Sequence, residues 1–88
     1  MTISPVNRAE TVQAIGVRFA QQALYIALSD GREVRLPLDR IPWLQWLRAA
    51  SDAQRAQWSI EPGGDAIYWD GLDDGVELGR VLTLEPLW

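Results

Sequence analysis

An α+β fold is what the sequence predicts: a three-stranded antiparallel meander, one or two covering helices, a second β-hairpin and a short C-terminal segment. Three observations carry that prediction. Apolar residues alternate with a period of two between residues 15 and 36, interrupted by turn residues. Ile41, Leu44, Leu47 and Ala50 then recur at helical spacing. A second alternating pair, "WSIE" and "AIYW", flanks the turn residues "PGGD".

Residues 1–10 read as a flexible lead-in, because Pro5 and its polar neighbours show no period. The first strand starts near residue 12 and sets Ile15, Val17 and Phe19 on one face, with Gly16 and Arg18 between them. After "AQQ" a second strand sets Leu24, Ile26 and Leu28 against Ala23, Tyr25 and Ala27. Asp30-Gly31 predicts a type I′ hairpin, since that turn needs positive φ and glycine adopts it without steric strain. The third strand turns Val34 and Leu36 inward and Glu33 and Arg35 outward, until Pro37, which has no donor, ends its ladder.

Asp39 is the expected N-cap of a helix beginning between Arg40 and Pro42, with the proline tolerated in the first turn. Trp43 and Trp46 flank the apolar stripe and widen it. Ser51 and Gln54 have capping-box spacing and predict a second short helix over "DAQRAQW". In the second hairpin a simple register has Trp58 and Ile60 facing Ile67 and Trp69, and turns Tyr68 to the opposite face. "DGLDDG" reads as a turn cluster, and "VELGRVLTL" fits a short helix or a strand.

With 88 residues and 48% apolar composition, one small α+β domain over 1–88 is expected. Such a chain buries roughly 60–65% of its unfolded surface, enough for one modest core. There is no cysteine and no histidine, so disulfides, thiolate nucleophiles and imidazole bases are excluded. The start has no apolar targeting segment, and the longest strongly apolar run is "ALYIAL", so a cytoplasmic protein with no membrane association is expected.

All eight cations are arginines. Residues 1–60 hold seven of them against five acids, a net of +2, while residues 61–88 hold Arg80 against seven acids, a net of −6. The overall charge of −4 argues against nucleic-acid binding by this chain alone; it serves solubility and permits an acidic surface that meets a basic protein partner. Asp70, Asp73, Asp74 and Glu77 form an acidic turn over residues 70–77. An EF-hand reading fails, because Leu72 takes the third ligand position and Val81 the twelfth, so neither a metal nor any other cofactor is expected. "PGGD" lacks phosphate-loop spacing, and no serine or threonine has a base motif beside it. Trp43, Trp46 and Trp88, with Tyr68 as an aromatic platform, are the candidate interaction residues, and a homodimer burying at least one of the three tryptophans is expected.

Taken in order, "DGREVRLPL", "IPWL", "QRAQW", "AIYWDGLDD" with Val76, and "VL" at 81–82 resemble the pattern of a small bacterial family, domain of unknown function 2442, over residues 12–82. Three positions depart from that pattern: Tyr68 replaces its histidine, Asp70 its proline, and Gly75 an acid. The resemblance implies a small α+β domain without established enzymatic activity. It also implies a small partner protein from the same operon, in a toxin–antitoxin-like arrangement. The sequence-level expectation is therefore a non-catalytic protein-interaction module, antitoxin-like or a regulatory accessory protein. The alternative is a small-ligand- or cation-binding domain, or an enzyme, using the acidic turn.

Overall fold

The computed structural model describes residues 12–82. Two three-stranded antiparallel sheets and a few short helices make an α+β arrangement around one core. The first sheet has the order β1 (Ala14–Ala20), β2 (Ala23–Leu28), β3 (Glu33–Pro37). The second has the order β4 (Trp58–Ile60), β5 (Ala66–Trp69), β6 (Asp74–Glu77). Between them lie a 3-10 turn (Pro42–Leu44), helix α1 (Gln45–Arg48) and helix α2 (Asp52–Arg55). A second 3-10 turn (Asp70–Leu72) precedes β6, and helix α3 (Leu78–Leu82) follows it.

The meander forms as its alternation predicts, with Leu24, Ile26, Leu28 and Leu36 buried. Ile15 is a correction: it is 61% exposed. A β-bulge causes this, because Ala14 pairs with Leu28 and Gly16 with Ala27, leaving Ile15 as the extra residue. The inward set of β1 becomes Ala14, Val17 and Phe19, opposite Leu28, Ile26 and Leu24.

Of the two hairpin turns of this sheet, the first falls where "AQQ" breaks the pattern and the second differs from the sequence reading. The β1–β2 connection is a two-residue loop of Gln21 and Gln22, both in the left-handed region at φ 50° and 64°. The Asp30-Gly31 turn is not type I′, since Gly31 alone has positive φ. It is a three-residue loop in which the Gly31 N–H donates to Leu28 O (3.1 Å) and the Leu28 N–H to Arg32 O (2.8 Å).

Ile41, Leu44 and Leu47 enter the core together, as their spacing requires. Asp39 does not cap the helix: the Arg40 N–H closes a turn onto Pro37 O, and the helical run starts later, with Ile41 at the N-cap and Pro42 just inside. The Ser51–Gln54 capping box is present, with both reciprocal bonds made. Its helix is shorter than "DAQRAQW", because Gln57 leaves the helix and Trp58 opens β4. Arg55 ties the two helices together, donating to Leu47 O (2.9 Å) and Arg48 O (3.0 Å).

The second hairpin has the simple register, Trp58 opposite Trp69 and Ile60 opposite Ile67. The acidic stretch is not a turn throughout. Asp74–Glu77 pairs with β5 as a third strand, Val76 opposite Ile67, and the ambiguous segment splits into that strand and α3. Trp69 is fully buried where the layers meet. Its ring meets Phe19 of β1 and Trp46 of α1 edge to face, with centroids 6.3 and 5.6 Å away, and its Nε1 donates to Arg55 O. Backbone bonds from Ala14 N–H to Gly64 O (2.7 Å) and from Leu78 N–H to Asp65 O (2.8 Å) join the "PGGD" turn to β1 and to α3.

Candidate functional site

Trp43 and Trp46 lie three positions apart, and the structure sends them to different tasks. Trp46 is half-buried, donates its Nε1–H to Trp43 O (2.9 Å) and packs on Trp69. It belongs to the core. Trp43 is also half-buried, but its ring carries the Arg80 guanidinium at 4.1 Å from the centroid and borders a cleft. Both rings flank the apolar stripe and pack against the protein's own core, and Trp43 alone of the two also borders the cleft. Trp88 and the lead-in 1–10 lie outside the described residues.

The cleft has a volume of about 420 Å³ and is bounded by β5, β6, the first 3-10 turn and α3. Trp43, Tyr68, Asp74 and Glu77, all singled out in the sequence, line it together with Glu61 and Arg80. Trp46, Asp70 and Asp73 do not. Glu61 and Arg80 were missed. Glu61 was legible, since the Ile60–Ile67 register continues to Glu61 opposite Ala66, and its N–H donates to Ala66 O at 2.9 Å. Arg80 carried one signal, being the sole cation of residues 61–88.

Tyr68 is placed by a missing side chain. It sits opposite Gly75 in the β5–β6 ladder. A Cβ at Gly75 would lie 3.0 Å from Tyr68 Cδ1 and 2.7 Å from Ile67 O, so glycine is what lets the ring lie against the neighbouring strand. The Tyr68 hydroxyl donates to Asp73 Oδ1 at 2.6 Å. Asp73 reaches it from a left-handed conformation, φ 51°, that Asp adopts more readily than most residues. This hydrogen bond, helped by desolvation and by the charges of Asp73, Asp70 and Asp74, pushes the phenol up to about 12. Asp70 and Asp73 therefore act on the site through Tyr68.

Among the described residues, no three acidic side chains are placed to hold a metal ion. None of the described helices is long and apolar enough to cross a membrane. What the cleft offers chemically is carboxylate oxygens beside two aromatic rings, a surface for a cation with an apolar stem or a planar face.

Fold and cleft together define a small α+β domain with two three-stranded meanders on a shared core and an acidic, aromatic recess. The chain belongs to the DUF2442 family of proteins of unknown function, whose pattern matches residues 14–78. It is similar to a protein of unknown function from Rhodospirillum rubrum, known from a crystal structure. Identity there is 23%, the TM-score is 0.67, and the match covers 82% of this chain and 86% of that one. An uncharacterized protein of Chromobacterium violaceum, known from a solution NMR structure, matches at 21% identity and a TM-score of 0.70, covering 89% of this chain and 71% of that one. At these identities the likeness is one of fold. No curated protein matches the chain.

Proposed function

We propose that this protein is a non-catalytic interaction module, an antitoxin-like or regulatory accessory domain, whose cleft receives a basic segment of a partner protein. The observation that carries this reading is the convergence of Glu61, Asp74 and Glu77 with Trp43 and Tyr68 on one recess. Carboxylates attract and steer a cationic segment, and aromatic faces hold its side chains. The net −5 of residues 61–82, six acids against Arg80, adds to the same field and repels phosphate backbones.

Catalysis fits this site poorly. The sequence supplies no imidazole or thiol, and a phenol held near 12 exchanges its proton badly at neutral pH. Self-association is also the weaker reading. A second copy carries the same charge of −4, and Trp43 and Trp46 are already packed on their own core.

The test is a calorimetric titration of the full chain with a short peptide of mixed arginine and lysine at low ionic strength. Saturable binding is expected, weakened by at least about tenfold in a Glu61→Gln, Asp74→Asn, Glu77→Gln variant. A wild type that binds no basic peptide overturns the proposal, as does a triple variant that binds as tightly as wild type.

A further inference from the structure

The Arg80 guanidinium lies 4.1 Å above the Trp43 ring, inside the cleft that Glu61, Asp74 and Glu77 also line. Two elements far apart in sequence supply the pair, the first 3-10 turn and α3. The only cation of the acidic third of the chain is thereby placed on the aromatic wall of the acidic recess.

The same molecule shows how it satisfies an arginine elsewhere. Arg18 lies 3.9 Å over the Tyr25 ring and forks onto both Glu33 oxygens, at 3.0 Å each. A planar cation is held by a ring beneath and a carboxylate at its edge, a geometry that guanidinium fits and a compact ammonium does not. The cleft repeats those ingredients, with Trp43 and Tyr68 as rings and Glu61, Asp74 and Glu77 as carboxylates.

Resting on the cleft reading above, we infer that the site is built for an arginine side chain of the partner, and that Arg80 is its internal stand-in, stacked on Trp43 until the partner's arginine displaces it. Arg80 is then an autoinhibitory contact. It lowers the affinity of the free domain by the work of releasing the Arg80 guanidinium from its contacts, the Trp43 stack among them, and it admits arginine-bearing segments in preference to lysine-bearing ones.

The experiment titrates the full chain with an arginine–glycine peptide and, separately, with its lysine–glycine counterpart. Wild type, Arg80→Ala, Arg80→Lys and Trp43→Leu are compared. Wild type should bind the arginine peptide several-fold more tightly than the lysine peptide. Arg80→Ala should tighten arginine-peptide binding by at least about twofold, the lower end of the cation–π range for an exposed pair converted to a ratio. Arg80→Lys, which keeps the charge and removes the planar stack, should also tighten it. Trp43→Leu should abolish the preference for arginine.

Equal binding of the two peptides by wild type overturns this inference and leaves the basic-partner reading standing. An Arg80→Lys variant that behaves as wild type while Arg80→Ala tightens binding also overturns it, since Arg80 would then act by charge alone. Binding of neither peptide by any variant removes the basic-partner reading itself.

Discussion

Each sheet has a tyrosine at the centre of its outward face, and the two are treated in opposite ways. On the first sheet Tyr25 stands between Arg18 and Arg35. Arg18 covers its ring and pairs with Glu33, while Arg35 Nε donates to its hydroxyl at 3.2 Å. At the end of the same sheet Arg32 closes on Asp30 at 2.7 Å. On the second sheet Tyr68 stands between Ser59 and Gly75. Its hydroxyl is tied to an acid, and more acids surround it. The first face pairs two of its three arginines with acids within a few ångströms. The second accumulates negative charge around half-buried aromatic surface, which the proposed basic partner would neutralise. Exposed pairs of the first kind add little stability, so their main effect is to offset charge on that face.

The comparison presumes that both faces are backed by one shared core, and the sharpest way to break it is at Trp69. This ring touches Phe19 of the first sheet and Trp46 of the covering helix. Trp69→Ala should destabilise the protein by about 3–5 kcal/mol. Urea unfolding followed by circular dichroism and by fluorescence should still show one coincident transition, at a lower midpoint. Two separated transitions would mean that the sheets fold independently, and that the first face and the acidic face belong to separate units.

A smaller effect, of opposite sign, sits in the first sheet alone. Gln21 and Gln22 both occupy left-handed backbone in the β1–β2 turn. Each such residue carries strain of roughly 1 kcal/mol, and Asn-Gly is the pair best suited to this conformation. Gln21→Asn with Gln22→Gly should raise stability by about 1 kcal/mol, seen as a higher urea midpoint at unchanged m-value. Peptide binding should be unchanged, because this turn is remote from the cleft in the sheet order. A loss of stability would show that the glutamine side chains make contacts that outweigh the strain.

Much of this architecture was legible in local patterns. The capping box at Ser51–Gln54 and the pairing of Trp58 with Trp69 follow from spacing alone, and both are present. Features without a residue-type signature were not legible. A bulge at Ile15 leaves the alternation of letters intact while inverting one side chain. Two glutamines do not announce a left-handed turn. Asp74–Glu77 has Val76 as its only large apolar residue, and its strand state comes from pairing with β5. The site was half legible. Its aromatic and acidic members could be named one by one. Their convergence depends on Trp43 and Arg80 meeting from distant elements, and no spacing rule encodes that.

The finest distinction between the faces is the proton on Tyr68. Its phenol is pushed up to about 12, first by the hydrogen bond to Asp73, because ionising it would set two negative oxygens 2.6 Å apart. In the unfolded chain the group returns to about 10. A raised folded-state value means that this contribution to stability is fully present below pH ~10 and is lost as pH climbs from there through about 12. In a Tyr25→Phe background, where Tyr68 is the remaining tyrosine, the ultraviolet signal of tyrosinate should have its midpoint near 12. Asp73→Asn should move that midpoint down toward 10, since Asn accepts the bond without the charge. Tyr68→Phe should flatten the alkaline loss of stability. A midpoint that stays near 12 after Asp73→Asn would assign the shift to Asp70, Asp74 and desolvation, and would make the negative field of the whole acidic face, rather than one hydrogen bond, the feature that separates Tyr68 from its counterpart on the first sheet.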